Sequence, residues 1–436
     1  MDTPEYYKEH FDRLQLIDTN SDLSNVRLNA FNVFNKIGMP TVKNEEWKYT
    51  RMGGILNKEY QFSVDLPETS LLTTDIDFLR LPGHEQANEL VFVDGLFSSR
   101  LSTIRSEKLV IIPLEQAAKN EYRDIVIKHF DDSGNYLKDG LHALNTAFVY
   151  GGIFINVLKG EVTEHPIYIY NITDARNGNV FLQPRCLVHI SEQAQVQIVE
   201  TYSTLGKGDS FTNQVMEIIV EKEARLTYYK IQNDAVFTNQ VSTTHIRQIG
   251  KSYVHAVTIS LNGSIVRNNM EVILEAEFCE AHLYGLYFTK GKSHIDNHTL
   301  VDNRKPNCLS NELYKGIMDD ESSGVFNGKI YVRPDAQKTN AYQSNKNILL
   351  SDTASVNSKP QLEIFADDVK CSHGCTVGKM DEEGLFYLES RGIPEKIAKS
   401  LLLFSFAVDI LEHIELKAIR AYVDQLISER LEFDIS

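Results

Sequence analysis

Cysteine is scarce in this chain: five residues in 436, at positions 186, 279, 308, 371 and 375. So few, odd in number and unevenly spaced, they form no disulfide framework and fit a reducing compartment. Basic residues are also in deficit. Lysine and arginine number 44 against 60 acidic residues, a net charge of −16. Such a field repels phosphate backbones and anionic lipid, which argues against nucleic acid or a membrane as partner. Long apolar runs are missing as well. The most apolar stretch, Leu401 to Val408, is far shorter than the roughly 18 to 20 residues of a membrane span. The N-terminus has neither a basic segment nor an apolar one behind it, so it does not read as a signal peptide. No Gly-x-x-x-x-Gly-Lys-Ser/Thr phosphate loop occurs, so the chain is not expected to hydrolyse ATP. What is present, 42% hydrophobic and 24% charged residues, reads as a soluble, cytoplasmic protein with room for two or three domains.

Three regions differ in texture. Residues 1–145 read as a helical and mixed domain. Apolar residues from Phe11 to Phe34 recur at loosely helical spacing, Asn20-Ser-Asp22 supplies a break and a cap, and Gly38 and Pro40 end the second helix. The one tryptophan, Trp47, follows. Residues 146–380 are a succession of short alternating runs such as Gly152-Ile-Phe-Ile-Asn-Val and Gln195-Val-Gln-Ile-Val. Small-x-aliphatic triplets beginning at Ala194, Ala224, Ser252 and Ala281 recur every 28 to 30 residues. Strands at a regular period without helices between them predict a solenoid, a right-handed parallel β-helix or a flattened variant, with a large β-sandwich as the alternative. Residues 381–436 return to helix: Asp381 caps the first, Gly392 ends it, and Pro394 opens the next. This helical domain is expected to cap the last coil, to offer a docking surface, or both. The protein is thus mainly β, a β-helix core between two helical regions.

Near the end of the β-rich region stands Cys371-Ser-His373-Gly-Cys375. Residues two apart on a strand point to one face, so two thiols and an imidazole would project together. Sulfur and imidazole nitrogen suit iron–sulfur clusters, zinc and copper. One strand cannot close a four-ligand site, so a partner or another part of the chain must complete it. The plainer reading is of small buried cysteines on a strand. His294-Ile-Asp296-Asn-His298 places two imidazoles and a carboxylate on one face, a set that more often fixes loops by hydrogen bonds than holds a metal.

The segments Val325-Phe-Asn-Gly-Lys-Ile-Tyr-Val, Gln337 to Asp352, and Lys359 through Cys371-Ser-His373-Gly to Ile393 together resemble the SufB/SufD family, the scaffold subunits of the SUF iron–sulfur cluster assembly system. Glu46-Trp47-Lys-Tyr-Thr50, and the absence of closely spaced cysteines in the first part of the chain, are more similar to the SufD branch than to SufB. The resemblance implies a non-catalytic subunit whose β-helix pairs with a SufB-like scaffold. Its C-terminal helices would dock a SufC-like ABC ATPase. The cofactor implied is a transient iron–sulfur cluster shared with SufB, none being bound by the isolated chain. His373 matches the family's interface histidine and Cys371 its neighbouring cysteine, so these two are the expected metal donors. Cys375 departs from the pattern, where alanine is usual, and Asn303 stands where a histidine is frequent. Three alternatives stay open: a β-helix metalloenzyme using Cys371, His373 and Cys375, a purely structural paralogue, and a homodimer of the isolated chain through the edge it would offer SufB.

Overall fold

Alternation decides the middle of the chain. In the strands Gln195–Gly206, Arg225–Asn233 and Tyr253–Asn262 the residues Val196, Ile198, Leu226, Tyr228, Val254 and Ala256 are buried on one face. Each strand pairs in parallel with the strand after next: Leu226 lies beside Val196 and beside Val254. The computed structural model, which describes residues 4–18, 23–66 and 69–432, repeats this rule along two sheets. One, of 11 strands, ends with Ser355–Ile364, and the other, of 10 strands, ends with Lys370–Gly378. Successive strands alternate between the sheets, so the chain winds a parallel β-solenoid of about 8 turns. The break expected at Asn20–Asp22 lies outside the described residues.

The turns carry a recurring backbone device. Gln193, Glu223, Phe278, Asn307 and Lys338 all have positive φ, between 57° and 62°. For L-residues this costs roughly 1–2 kcal/mol each. Each is offset by a hydrogen bond between coils: its N–H donates to the carbonyl of Lys222, Lys251, Pro306, Gln337 and Asp368 respectively. These bonds clamp each coil to the next at the same corner. The fourth small-x-aliphatic triplet is not in step with them. Ala281, not Leu283, pairs with Val254, and Cys279 takes the small-residue place at that corner, buried with its thiol donating to the Gly250 carbonyl at 3.3 Å. The slip is two residues, so the inward face is kept.

Strands from the first 145 residues join the same sheets: Asn88–Val93 pairs with Ile167–Ala175, and Leu109–Pro113 with Ile153–Val157. Helices cover the outer faces. On the larger sheet, Pro4–Ile17, Ser24–Ile37 and Gly140–Ala147 bury Phe11, Phe31, Phe34 and Leu144 with Phe181, Phe211 and Val241. On the other, Glu395–Leu411 and Lys417–Arg430 bury Leu403, Ile410, Ile419 and Val423 against Tyr229, Val257, Leu286 and Ile317. The C-terminal helices therefore lie along the side of the solenoid. They do not cap its last coil, as one expectation had it, because their apolar stripe matches the outward aliphatic residues of the sheet.

The segment around the tryptophan is stapled to the larger sheet. Trp47 is buried, stacks under the Arg267 guanidinium at 3.9 Å, and donates its indole N–H to Asp139 at 3.1 Å. Arg267 donates to Asp296 at 2.8 Å and to the Glu46 carbonyl at 2.7 Å. The Thr50 hydroxyl donates to Asp296 and lies 2.9 Å from His294, and His298 lies 3.0 Å from Asp296. Burial pushes the Asp296 carboxyl up, but His298 and Arg267 overcome it and hold it well below the usual range. The polar set at 294, 296 and 298 thus anchors a loop. Breaking one side of a buried pair costs about 3–5 kcal/mol. Arg267→Met is expected to lower the unfolding free energy by about that amount. It should also red-shift the fluorescence of Trp47, the sole tryptophan. An unshifted spectrum with unchanged denaturant midpoint contradicts the assignment.

Candidate functional site

Every inward-facing column of the solenoid ends at the last coil. Ala341 lies in the core and pairs with Cys371, and Gln343 pairs with His373 and Asn345 with Cys375. Cys371, His373 and Cys375 therefore share the face that points into the coil. In any earlier coil such residues are covered by the next rung. Here no further strand follows among the described residues, and His373 and Cys375 are exposed while Cys371 is half-buried against the core. The structure places the two expected donors, Cys371 and His373, on one face at an open end, with Cys375 beside them. Burial pushes the Cys371 thiol up from its ordinary value. The Cys375 sulfur sits 3.9 Å from Asn345 Oδ1. Among the described residues no set of three His, Cys, Asp or Glu side chains is placed to hold a metal ion within the chain itself.

The two terminal strands differ as edges. Ser355–Ile364 carries Pro360 and Lys359, devices that discourage further pairing. Lys370–Gly378 has no proline and no bulge in its pairing with Asn340–Leu349, and its outer edge offers unpaired backbone groups. Exposed Ile364, Phe365 and Val377 flank the open end. A second apolar exposure lies on the short helix Glu382–Ser390, capped by Asp381, where Phe386 and Tyr387 face solvent.

Beneath the donors the interior is polar, which alternation alone did not reveal. Gln343 donates to Glu312, Ser358 donates to Asn345 at 2.8 Å, and Asn347 donates to Asn345 at 2.7 Å. Deeper still, Lys230 donates to Ser242 and Thr244, both at 2.9 Å, and Tyr228 donates to Glu200. Burial pulls Lys230 down to about 8 despite Glu200, and pushes Glu312 up to about 7 despite the Gln343 amide. The signal was there as Gln343-Ser-Asn345-Lys-Asn347, polar residues at alternate positions of a strand. It did not announce itself as an inward face because inward faces are usually apolar.

Two outcomes test this geometry. Alkylation of the native chain by iodoacetamide should modify Cys375 first and Cys371 more slowly, with Cys186, Cys279 and Cys308, all buried, reacting only after unfolding. Peptide mass spectrometry reads the order, and early labelling of a buried cysteine contradicts it. For Glu312, a carboxyl raised in the folded state loses stability as pH climbs from about 4.5 to about 7. Glu312→Gln removes that loss, so its melting temperature should gain on the wild type between pH 5 and pH 8. A gap that is constant or shrinks with pH contradicts the raised carboxyl.

Comparison with known proteins gives a consistent result. The family model for the SUF system FeS cluster assembly SufBD core domain matches residues 171–406, and that for the SufBD protein N-terminal region matches residues 1–169. An iron–sulfur cluster assembly SufBD family protein of Synechocystis is 30% identical over 424 residues, covering 94% of this chain and 91% of its own length. The iron–sulfur cluster assembly protein SufD of Escherichia coli is 28% identical over 406 residues, covering 91% and 90%. SufD of Bacillus subtilis is 26% identical over 342 residues, covering 76% of each.

Proposed function

The chain belongs to the SufB/SufD family of the SUF iron–sulfur cluster assembly system, and from that premise we propose that it is a non-catalytic scaffold subunit that supplies half of a cluster site. His373 is the first donor and Cys371 the second. A SufB-like scaffold seats on the open last coil and brings the remaining ligands, so the nascent cluster is held between two chains and by neither alone. A SufC-like ABC ATPase docks on the C-terminal helices. Its nucleotide cycle pulls on them and shears the scaffold interface. The complex works in the cytoplasm.

One observation carries the reading: an imidazole and a thiol on the inward face of a terminal coil that nothing among the described residues covers. Iron–sulfur clusters take thiolate ligands, with histidine as the alternative donor. The unprotected edge of Lys370–Gly378 suits strand-to-strand or end-to-end addition of a partner, and Phe386 and Tyr387 suit a further protein contact. A metalloenzyme would need an acid–base group beside the donors, whereas the groups paired with His373 and Cys375 are the amides of Gln343 and Asn345.

Co-purification with tagged SufB and SufC homologues tests the assembly, and anaerobic loading with ferrous iron and sulfide tests the site. His373→Ala should leave the subunit stoichiometry intact and reduce bound cluster at least about tenfold, in line with loss of a metal ligand. Normal cluster content in that variant, or a chain that joins neither partner and pairs only with itself, overturns the proposal.

A further inference from the structure

Gln343 is the residue on which His373 stacks in register. Its side chain is 3% exposed, and it belongs to the column Glu312, Gln343, His373 that climbs to the open end in register. The amide Nε2 donates to Glu312 Oε2. With Glu312 as the carboxylate acceptor, that bond takes the nitrogen end of the amide. Oε1 is left buried with no partner among the described residues, a state that costs about 1–3 kcal/mol. The facing strand is shaped around this amide: a Cβ at Gly328 would come within 2.4 Å of Gln343 Nε2 and 2.7 Å of Cδ. Glycine at 328 therefore gives the room that lets the Gln343 side chain lie across the core. The space is reserved for an amide whose acceptor is unused.

An imidazole has two distinct nitrogens, and the hydrogen bond made by one decides which is free for a metal. Ligating histidines almost always donate their second N–H to an oxygen that orients the ring. We propose that Gln343 is a positioning residue for His373: when a partner closes the end of the solenoid, Gln343 Oε1 accepts one imidazole N–H and the other ring nitrogen is presented to iron. Glu312 holds the amide from below through Nε2, which leaves Oε1 as its free end. The inference rests on the proposed role of His373, and goes beyond it by naming what orients the ring.

The test uses the complex with SufB and SufC homologues, loaded with ferrous iron and sulfide. The readouts are the rate of iron loss to a ferrous chelator and the histidine-nitrogen coupling in pulsed EPR of the reduced cluster, with 15N-labelled histidine. Gln343→Met, which keeps length and loses the acceptor, should release iron about 10- to 100-fold faster and change the nitrogen coupling. Gln343→Glu, which keeps an oxygen and shares one proton with Glu312 in place of the amide N–H, should return the rate to within a few fold of wild type, and also serves if the Met variant does not fold. Combining Gln343→Met with His373→Ala should add nothing to His373→Ala alone. Wild-type release and coupling in Gln343→Met, beside a defective His373→Ala, overturn this inference and leave the scaffold reading standing. A His373→Ala complex that matches wild type removes both.

Discussion

Stacking in register is the constraint from which the site follows. Once each strand pairs with the strand after next, a residue's place in the column fixes what lies above and below it, and a column can be solvent-exposed only where stacking stops. The same apolar, inward alternation that builds the core from Val196 and Leu226 onward delivers Cys371, His373 and Cys375 to one face of the final coil. No separate loop or pocket has to be built. The three side chains sit on a rigid strand, which holds them more precisely than a loop would, and a single coil end exposes only one rung.

Two features keep that end open and well placed. The C-terminal helices bury their stripe on the side of the smaller sheet, leaving the coil's last rung free. The N-terminal helices and the Trp47 staple cover the opposite side. Both outer faces are therefore satisfied, and the unprotected edge of Lys370–Gly378 is left as a surface with unused backbone groups. A solenoid normally hides such an end behind a capping element. Among the described residues no element covers this end, and that is the observation behind the proposed partner contact.

Much of this was legible in residues. Period-two spacing put Cys371 and His373 on one face, and the recurrence of strands near 29 residues gave the solenoid. Asp381, Gly392 and Pro394 marked the C-terminal helices, and Asp381 does accept from the Gly384 N–H at 3.0 Å. The register slip at Ala281 was invisible because a shift of two keeps every side chain on its face. The direction taken by the C-terminal helices was invisible for a different reason: an apolar stripe says that something is covered, not what. Gln343 and Glu312 were passed over because polar side chains at alternating positions look like an exposed face. Only the register shows that the exposed face of that strand is the other one.

The central claim is that another protein closes the last coil. Amide hydrogen exchange on the chain alone and with a SufB homologue bound tests it most directly. The account predicts that binding slows exchange at least about tenfold within residues 370–378, with residues on the outer faces of the sheets unchanged. Full binding with exchange in 370–378 left as it is in the free chain, and protection appearing elsewhere, would contradict it.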